Sequence, residues 1–164
     1  MGLDMYLYAN KGISSIEWNK KPDGTIEKVP NADYGILTSL MGANDWAVPG
    51  NDYAYAQVQL QVGYWRKVNA IHNWFVENLA GGEDNCNPIY VPHSTLVDLK
   101  ILCQEVINEP SKAEELLPTG SGFFFGSTDY DEWYFEGIKD TLAILTKVIE
   151  DVPEGWSFEY QASW

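Results

Sequence analysis

Cations are scarce in this chain: 10 Lys and Arg stand against 24 Asp and Glu in 164 residues, a formal net charge of −14. Proteins that hold nucleic acid or anionic membrane displace counterions with Lys and Arg, so the balance excludes general affinity for either. Long apolar runs are missing as well, and none approaches the roughly 18 residues of a membrane span. The opening Met1-Gly2-Leu3-Asp4 has no basic region and no cleavable apolar stretch, so no export is expected. After Gly2, Leu3-Asp4-Met5-Tyr6 lacks the Ser or Thr of a myristoylation signal. Cysteine occurs only at Cys86 and Cys103, too few for a disulfide scaffold and suited to a reducing cytosol. The expectation is a cytoplasmic protein.

Motifs that carry chemistry are equally sparse. Gly120, Gly122 and Gly126 lack the lysine and the following helix of a phosphate-cradling loop. His72, Cys86, His93 and Cys103 are the only His and Cys residues, with 13, 6 and 9 residues between them. Structural zinc sites present their ligands as close pairs, which this spacing does not. No Ser lies in a Gly-x-Ser-x-Gly elbow, and the Cys and His residues form no recognisable nucleophile–base pattern. No metal and no cofactor is expected, and the profile is that of a binding protein rather than an enzyme.

What the chain does have is apolar and aromatic mass: 45% of residues are apolar and 14% aromatic, including seven Trp. That suffices for a real core, and the length suits one domain spanning 1–164. Leu3, Met5 and Leu7 alternate with polar or tyrosine positions, as do Val58, Leu60 and Val62 with three Gln, the period of half-buried strands. Lys21-Pro-Asp-Gly24 is a turn, and Ile16–Trp18 with Ile26–Val29 around it reads as a hairpin. Residues 30–53, rich in Gly, Asn and Asp, read as an irregular excursion with a helical turn near 35–41. Trp65, Val68, Ile71, Phe75 and Leu79 recur at helical spacing, predicting a helix over 64–79 that Gly81-Gly82 stops. A second helix is expected over 94–108 between Pro92 and Pro110. Ser111-x-x-Glu114 looks like a capping box for a short turn. Three Phe between Gly122 and Gly126 suggest a buried strand over 120–126. Asp129-x-x-Glu132 then caps a long helix to about 150, with Trp133, Ile138, Leu142, Leu145 and Ile149 inward. Trp156, Phe158 and Tyr160 alternate in a last strand. The fold class is α+β: a small mixed or antiparallel sheet, its centre built near 2–9, 55–63 and 120–126, packed with three main helices.

Charge is distributed unevenly. Residues 1–82 hold eight acids and six bases, whereas residues 83–154 hold fifteen acids and four bases. Asp129, Asp131, Glu132, Glu136 and Asp140 crowd the start of the long helix. The first three suit a helix N-terminus, where carboxylates meet the positive end of the dipole. Glu136 and Asp140 continue the face beyond that reach. Tyr130, Trp133 and Tyr134 interleave the carboxylates, a mixture common at protein interfaces.

The densest segment is Tyr64-Trp-Arg-Lys-x-Asn-x-Ile-His-x-Trp-Phe75. Arg66 and His72, meeting Asp4 or another acid and flanked by Asn69, would form a polar pocket for a small anionic ligand beneath the 30–53 excursion. The same residues would equally serve as a structural ion pair and a satisfied core histidine that fix the helix against the first strand.

Three blocks carry a resemblance: Met-Gly-Leu-Asp-Met-Tyr-Leu-Tyr8, the Tyr64–Phe75 segment, and Gly122-Phe-Phe-Phe-Gly-Ser-x-x-Tyr-Asp-Glu132. Together they resemble a family of small phage and prophage proteins without an established activity. The resemblance implies a phage context and no catalytic residues. In that context a small, acidic, aromatic-rich protein fits a host-defence inhibitor, whose carboxylates imitate DNA phosphate and occupy the basic groove of a nuclease or CRISPR effector. The expected partner is a basic protein, with Asp129, Asp131, Glu132, Glu136, Asp140, Tyr130, Trp133 and Tyr134 at the interface. The alternative is a small-ligand protein or enzyme using Asp4, Arg66, Asn69 and His72.

Overall fold

The computed structural model describes residues 2–43 and 53–164. In chain order the elements are β1 (Asp4–Ser14), β2 (Ile16–Lys20), β3 (Ile26–Pro30), α1 (Ala32–Leu40), β4 (Tyr55–Arg66), α2 (Asn69–Leu79), β5 (Ile89–Val91), α3 (His93–Asn108), α4 (Ala113–Leu116), α5 (Glu132–Asp151) and β6 (Ser157–Ser163). The chain packs as two compact units, residues 1–10 with 59–164 and residues 11–58. The class is α+β, as the alternating and helical periods predict.

In the larger unit the strand order is β4-β1-β6-β5. β6 runs antiparallel to both neighbours, with Leu7 opposite Tyr160, Ala9 opposite Phe158 and Val91 opposite Phe158. Strand alternation sends Met5, Leu7, Ala9, Phe158, Tyr160 and Ala162 to the buried face. Stripes at three- and four-residue spacing cover that face: Ile71 and Phe75 from α2, Leu96, Leu99, Cys103 and Val106 from α3, Ile138, Leu145 and Val148 from α5. Each such side chain contributes about 1.5–3 kcal/mol by leaving water. Phe75 stacks on Tyr160 at 4.1 Å between ring centroids. In the smaller unit β2 and β3 form the expected hairpin, Trp18 opposite Lys28. The excursion after it contains a nine-residue helix, α1, whose first amides are capped by the Asn31 side chain. The rest of that excursion, residues 44–52, lies outside the described residues. No helix among the described residues is long and apolar enough to cross a membrane.

Several expectations are corrected. Residues 64–66 are strand, not helix: β4 runs to Arg66 and α2 starts only at Asn69. Trp65 fits either period, and pairing with β1 decides it, the Lys67 N–H reaching the Leu3 carbonyl at 2.8 Å. Residues 120–126 form no strand. A turn closes there, the Phe125 N–H bonding to the Gly122 carbonyl at 3.2 Å. A Cβ on Gly122 would lie 2.6 Å from the Phe125 ring, and Gly126 has φ +90°, so neither position fits an extended run of larger residues. Phe125 is buried while Phe123 is 94% exposed. The third place in the sheet goes instead to β6, with the three-residue β5 at its edge. Asp131, not Asp129, caps α5 by accepting from the Tyr134 N–H. Ser111 makes no capping bond; Pro110 opens a 3-10 turn ahead of α4. Trp133 is on the outer side of α5 and 78% exposed.

Alkaline pH should unfold this core. Burial pushes the Cys103 thiol up from 9.0 to about 12 and holds the Tyr134 and Tyr160 hydroxyls well above the usual phenol range. The folded state therefore keeps protons that the unfolded chain gives up. Its stability is full below pH 9 and falls as pH climbs towards 12, by as much as about 1.4 kcal/mol per pH unit per group. Urea unfolding at pH 8 and pH 10.5 should show the loss, with a smaller pH dependence in Cys103→Ala despite its lower starting stability.

Candidate functional site

A left-handed residue joins β4 to α2. Lys67 has φ +59°, held by its N–H bond to the Leu3 carbonyl. A lysine in that region is strained, on the order of 1 kcal/mol or more, and such strain concentrates where side-chain placement matters. Val68 then stands at the N-cap of α2 without any side-chain capping bond. Asn69 follows, 4% exposed. Its Nδ2 donates to the carbonyls of Phe125 (3.2 Å) and Ser127 (2.7 Å), fastening the 125–127 loop to the helix start. Both amide hydrogens are then used, leaving Oδ1 as the group Asn69 can still offer. α5 closes the other side. Gly137 makes that approach feasible, since a Cβ there would lie 2.9 Å from a Val68 methyl.

These elements enclose an open cleft of about 500 Å³. Arg66, Lys67 and Asn69 line it from the β4–α2 junction, Ser127 and Asp129 from the loop before α5, and Asp131, Trp133, Glu136 and Asp140 from the start of α5 and its cap. Two of the carboxylates are spoken for locally: Asp131 caps α5, and Asp129 accepts from the Ser127 hydroxyl at 2.9 Å. Among the described residues Lys67, Glu136 and Asp140 form no ion pair. Arg66 has only a loose one, Nε to Asp4 Oδ1 at 3.8 Å, with 61% of its side chain exposed. A pair so solvated contributes little. Asp4 itself accepts from the Tyr64 hydroxyl at 2.6 Å, and that bond, more than desolvation, raises the Tyr64 pKa.

The four residues expected to form one pocket occupy three places. Arg66 and Asn69 line the cleft. Asp4 sits with Tyr64 and Arg66 on the sheet face opposite the core. His72 is 2% exposed and lies elsewhere, its Nδ1 2.8 Å from the Tyr160 hydroxyl and its Nε2 3.0 Å from Asp84 Oδ2. Tyr160 and Asp84 thus occupy both ring nitrogens of His72. Asp84 also accepts from the Trp164 indole at 3.2 Å. The void beside this chain is about 10 Å³, water-sized at most, so the chain fixes packing rather than receiving a ligand. As expected, Asp4 lies beside Arg66, and another acid, Asp84, is the carboxylate on His72.

The acidic set also divides. Glu132 faces a second groove of about 350 Å³ with Ile107, Pro110, Phe135 and Lys139, and Glu136 lines both this groove and the cleft. Tyr134 is buried in the core, its hydroxyl donating to the Leu117 carbonyl at 2.8 Å, and it also lines the cleft. Tyr130 is half-buried against Tyr134, ring centroids 4.9 Å apart. Only Trp133 of the three aromatics is freely presented. Lys67, Val68, Ala70, Gly126 and Ser127 also line the cleft and are not among the expected site residues, although two adjacent cations before a helix start are a usable signal. No group of acids, His and Cys among the described residues could hold a metal ion. Compared with known proteins, the chain matches no family model, no curated protein and no solved structure at a significant level.

Two stability measurements check this geometry. Tyr160→Phe and His72→Phe should each cost about 1–3 kcal/mol in urea unfolding, and the double variant should lose clearly less than the sum because both break one bond. Lys67→Gly should keep or raise stability by up to about 1 kcal/mol by relieving the left-handed backbone. Lys67→Val, β-branched at the same φ, should lose about 1–2 kcal/mol.

Proposed function

We propose that this is a non-enzymatic, phage-encoded binding protein that acts in the host cytosol, inhibiting a defence nuclease or CRISPR effector through an acidic, DNA-mimicking face. The observation that carries the reading is on α5: Glu132, Glu136 and Asp140 recur every four residues on the exposed side, beside a Trp133 that is 78% exposed. Successive carboxylates therefore follow one another at about 6 Å along the helix axis. Such a row attracts a basic groove and sets encounter rate and orientation, while salt screens it over roughly 8 Å at physiological ionic strength. Affinity needs a desolvated anchor, and an exposed indole among carboxylates is suited to that part.

A second reading rests on a different observation. Arg66, Lys67 and Asn69 meet in a cleft of about 500 Å³, a size and lining suited to a small ligand.

The readings separate by mutation. Glu132→Lys, Glu136→Lys and Asp140→Lys together should slow association with the inhibited nuclease and flatten its salt dependence, read as recovery of DNA cleavage across a panel of purified defence nucleases and CRISPR effectors. Asp131 is left intact because it caps α5. Trp133→Ala should weaken inhibition about 30-fold, equivalent to about 2 kcal/mol. Inhibition indifferent to the three reversals, or no inhibition by the parent protein anywhere in the panel, would overturn the docking reading. Ligand binding lost on Arg66→Ala alone would favour the cleft.

A further inference from the structure

We infer that the cleft beside Lys67 binds a small zwitterion, a molecule with an anionic group at one end and an ammonium group at the other; the inference rests on the small-ligand reading of that cleft. The lining is bipolar. Arg66 and Lys67 bring two positive charges from the strand end; of the four carboxylates that line the cleft among the described residues, Asp129 and Asp131 already accept local hydrogen bonds, and Glu136 and Asp140 on α5 do not. Among the described residues Lys67, Glu136 and Asp140 form no ion pair with one another or with anything else, so the opposite charges do not cancel across the cleft. A purely anionic ligand would gain the cations but lie beside Glu136 and Asp140. A purely cationic one would meet the reverse arrangement. Only a ligand carrying both charges gains at both ends, which is how unpaired charge in a site produces selectivity.

The remaining lining agrees. The positive end gains from α2, which begins at this wall with no side-chain cap, so its first amides and dipole reinforce the two cations. Asn69 Oδ1 offers an acceptor to a ligand N–H or O–H. Trp133 stands at the carboxylate end, where an indole face adds cation–π attraction for ammonium. A volume of about 500 Å³ corresponds to a sphere roughly 10 Å across, the span of a linear amino acid of four to eight carbons.

The test titrates the intact protein with 6-aminohexanoate, hexylamine and hexanoate, three chains of one length that differ only in charge. Calorimetry gives affinity, and the indole N–H resonance of Trp133 gives location. 4-Aminobutyrate and 8-aminooctanoate bracket the length. The best of the three amino acids should bind at least about tenfold more tightly than hexylamine or hexanoate and shift the Trp133 resonance. Arg66→Gln with Lys67→Gln should reduce its affinity to that of hexylamine, and Glu136→Gln with Asp140→Asn to that of hexanoate. These side chains are exposed and at most loosely paired, so melting temperatures should not change. If hexanoate or hexylamine binds at the Trp133 cleft as tightly as the amino acids, the zwitterion inference falls while the small-ligand reading stands. If no compound moves the Trp133 resonance, or binding ignores the charge substitutions, both fall.

Discussion

A phenol hydroxyl with nowhere to reach water sets the terms for much of this fold. Tyr160 sits on β6 opposite Leu7 and Ile89, under the stacked ring of Phe75, and is 1% exposed. Burying a hydroxyl without a partner costs about 1–3 kcal/mol, a large part of what its ring gains, and the packed helix supplies the partner. His72 is that partner, and an imidazole buried on α2 then needs one of its own for Nε2. Asp84, reached across the Gly81-Gly82 link, supplies it, and the Trp164 indole closes the chain on the second carboxylate oxygen. One hydrogen-bonded line thus ties β6, α2, the loop after α2 and the final residue into a single register.

The cleft owes its shape to three positions where backbone rules are bent or relaxed. Lys67 accepts a left-handed conformation, Gly126 adopts φ +90° beside it, and Gly137 lets α5 approach Val68. The first turns the chain from strand to helix in two residues, so that Arg66 and Lys67 leave the sheet where α2 begins. The second and third bring a loop and a helix against that junction. Substituting a larger residue at 137 would push α5 away and open the cleft, whereas the strained lysine persists because surrounding bonds determine its backbone.

Alternation and helical period were legible in the sequence wherever one face is buried. Leu3, Met5 and Leu7, the hairpin about Lys21–Gly24, the α3 stripe and Ile138 with Leu145 were all readable in that way. The failures have particular causes. Trp65 satisfies both a strand and a helix period, and only its pairing with β1 distinguishes them. Phe123, Phe124 and Phe125 suggest a buried strand by composition, but flanking glycines let the loop turn and leave Phe123 in water. From the sequence Trp133 is expected inward with Ile138, but five residues turn a helix by about 140°, so Trp133 falls on the edge that borders the cleft. The site was legible in pieces: Arg66 and Asn69 from one segment and Asp131, Glu136 and Asp140 from another. Their convergence depends on which elements pack together, information that no local pattern carries.

The buried Cys103 thiol has a practical consequence. With its pKa pushed up to about 12 by burial, Cys103 stays a thiol at pH 7. Alkylating and oxidising reagents attack thiolate, so Cys103 is chemically silent while α3 stays packed. Cys86, partly exposed on the loop after α2, has no such shield. The two free thiols therefore report on different things in one molecule. Modification of Cys86 follows the surface, and modification of Cys103 counts the rare occasions on which the core opens. A mass difference of one label against two would distinguish native protein from protein that has breathed, without any added probe or engineered residue.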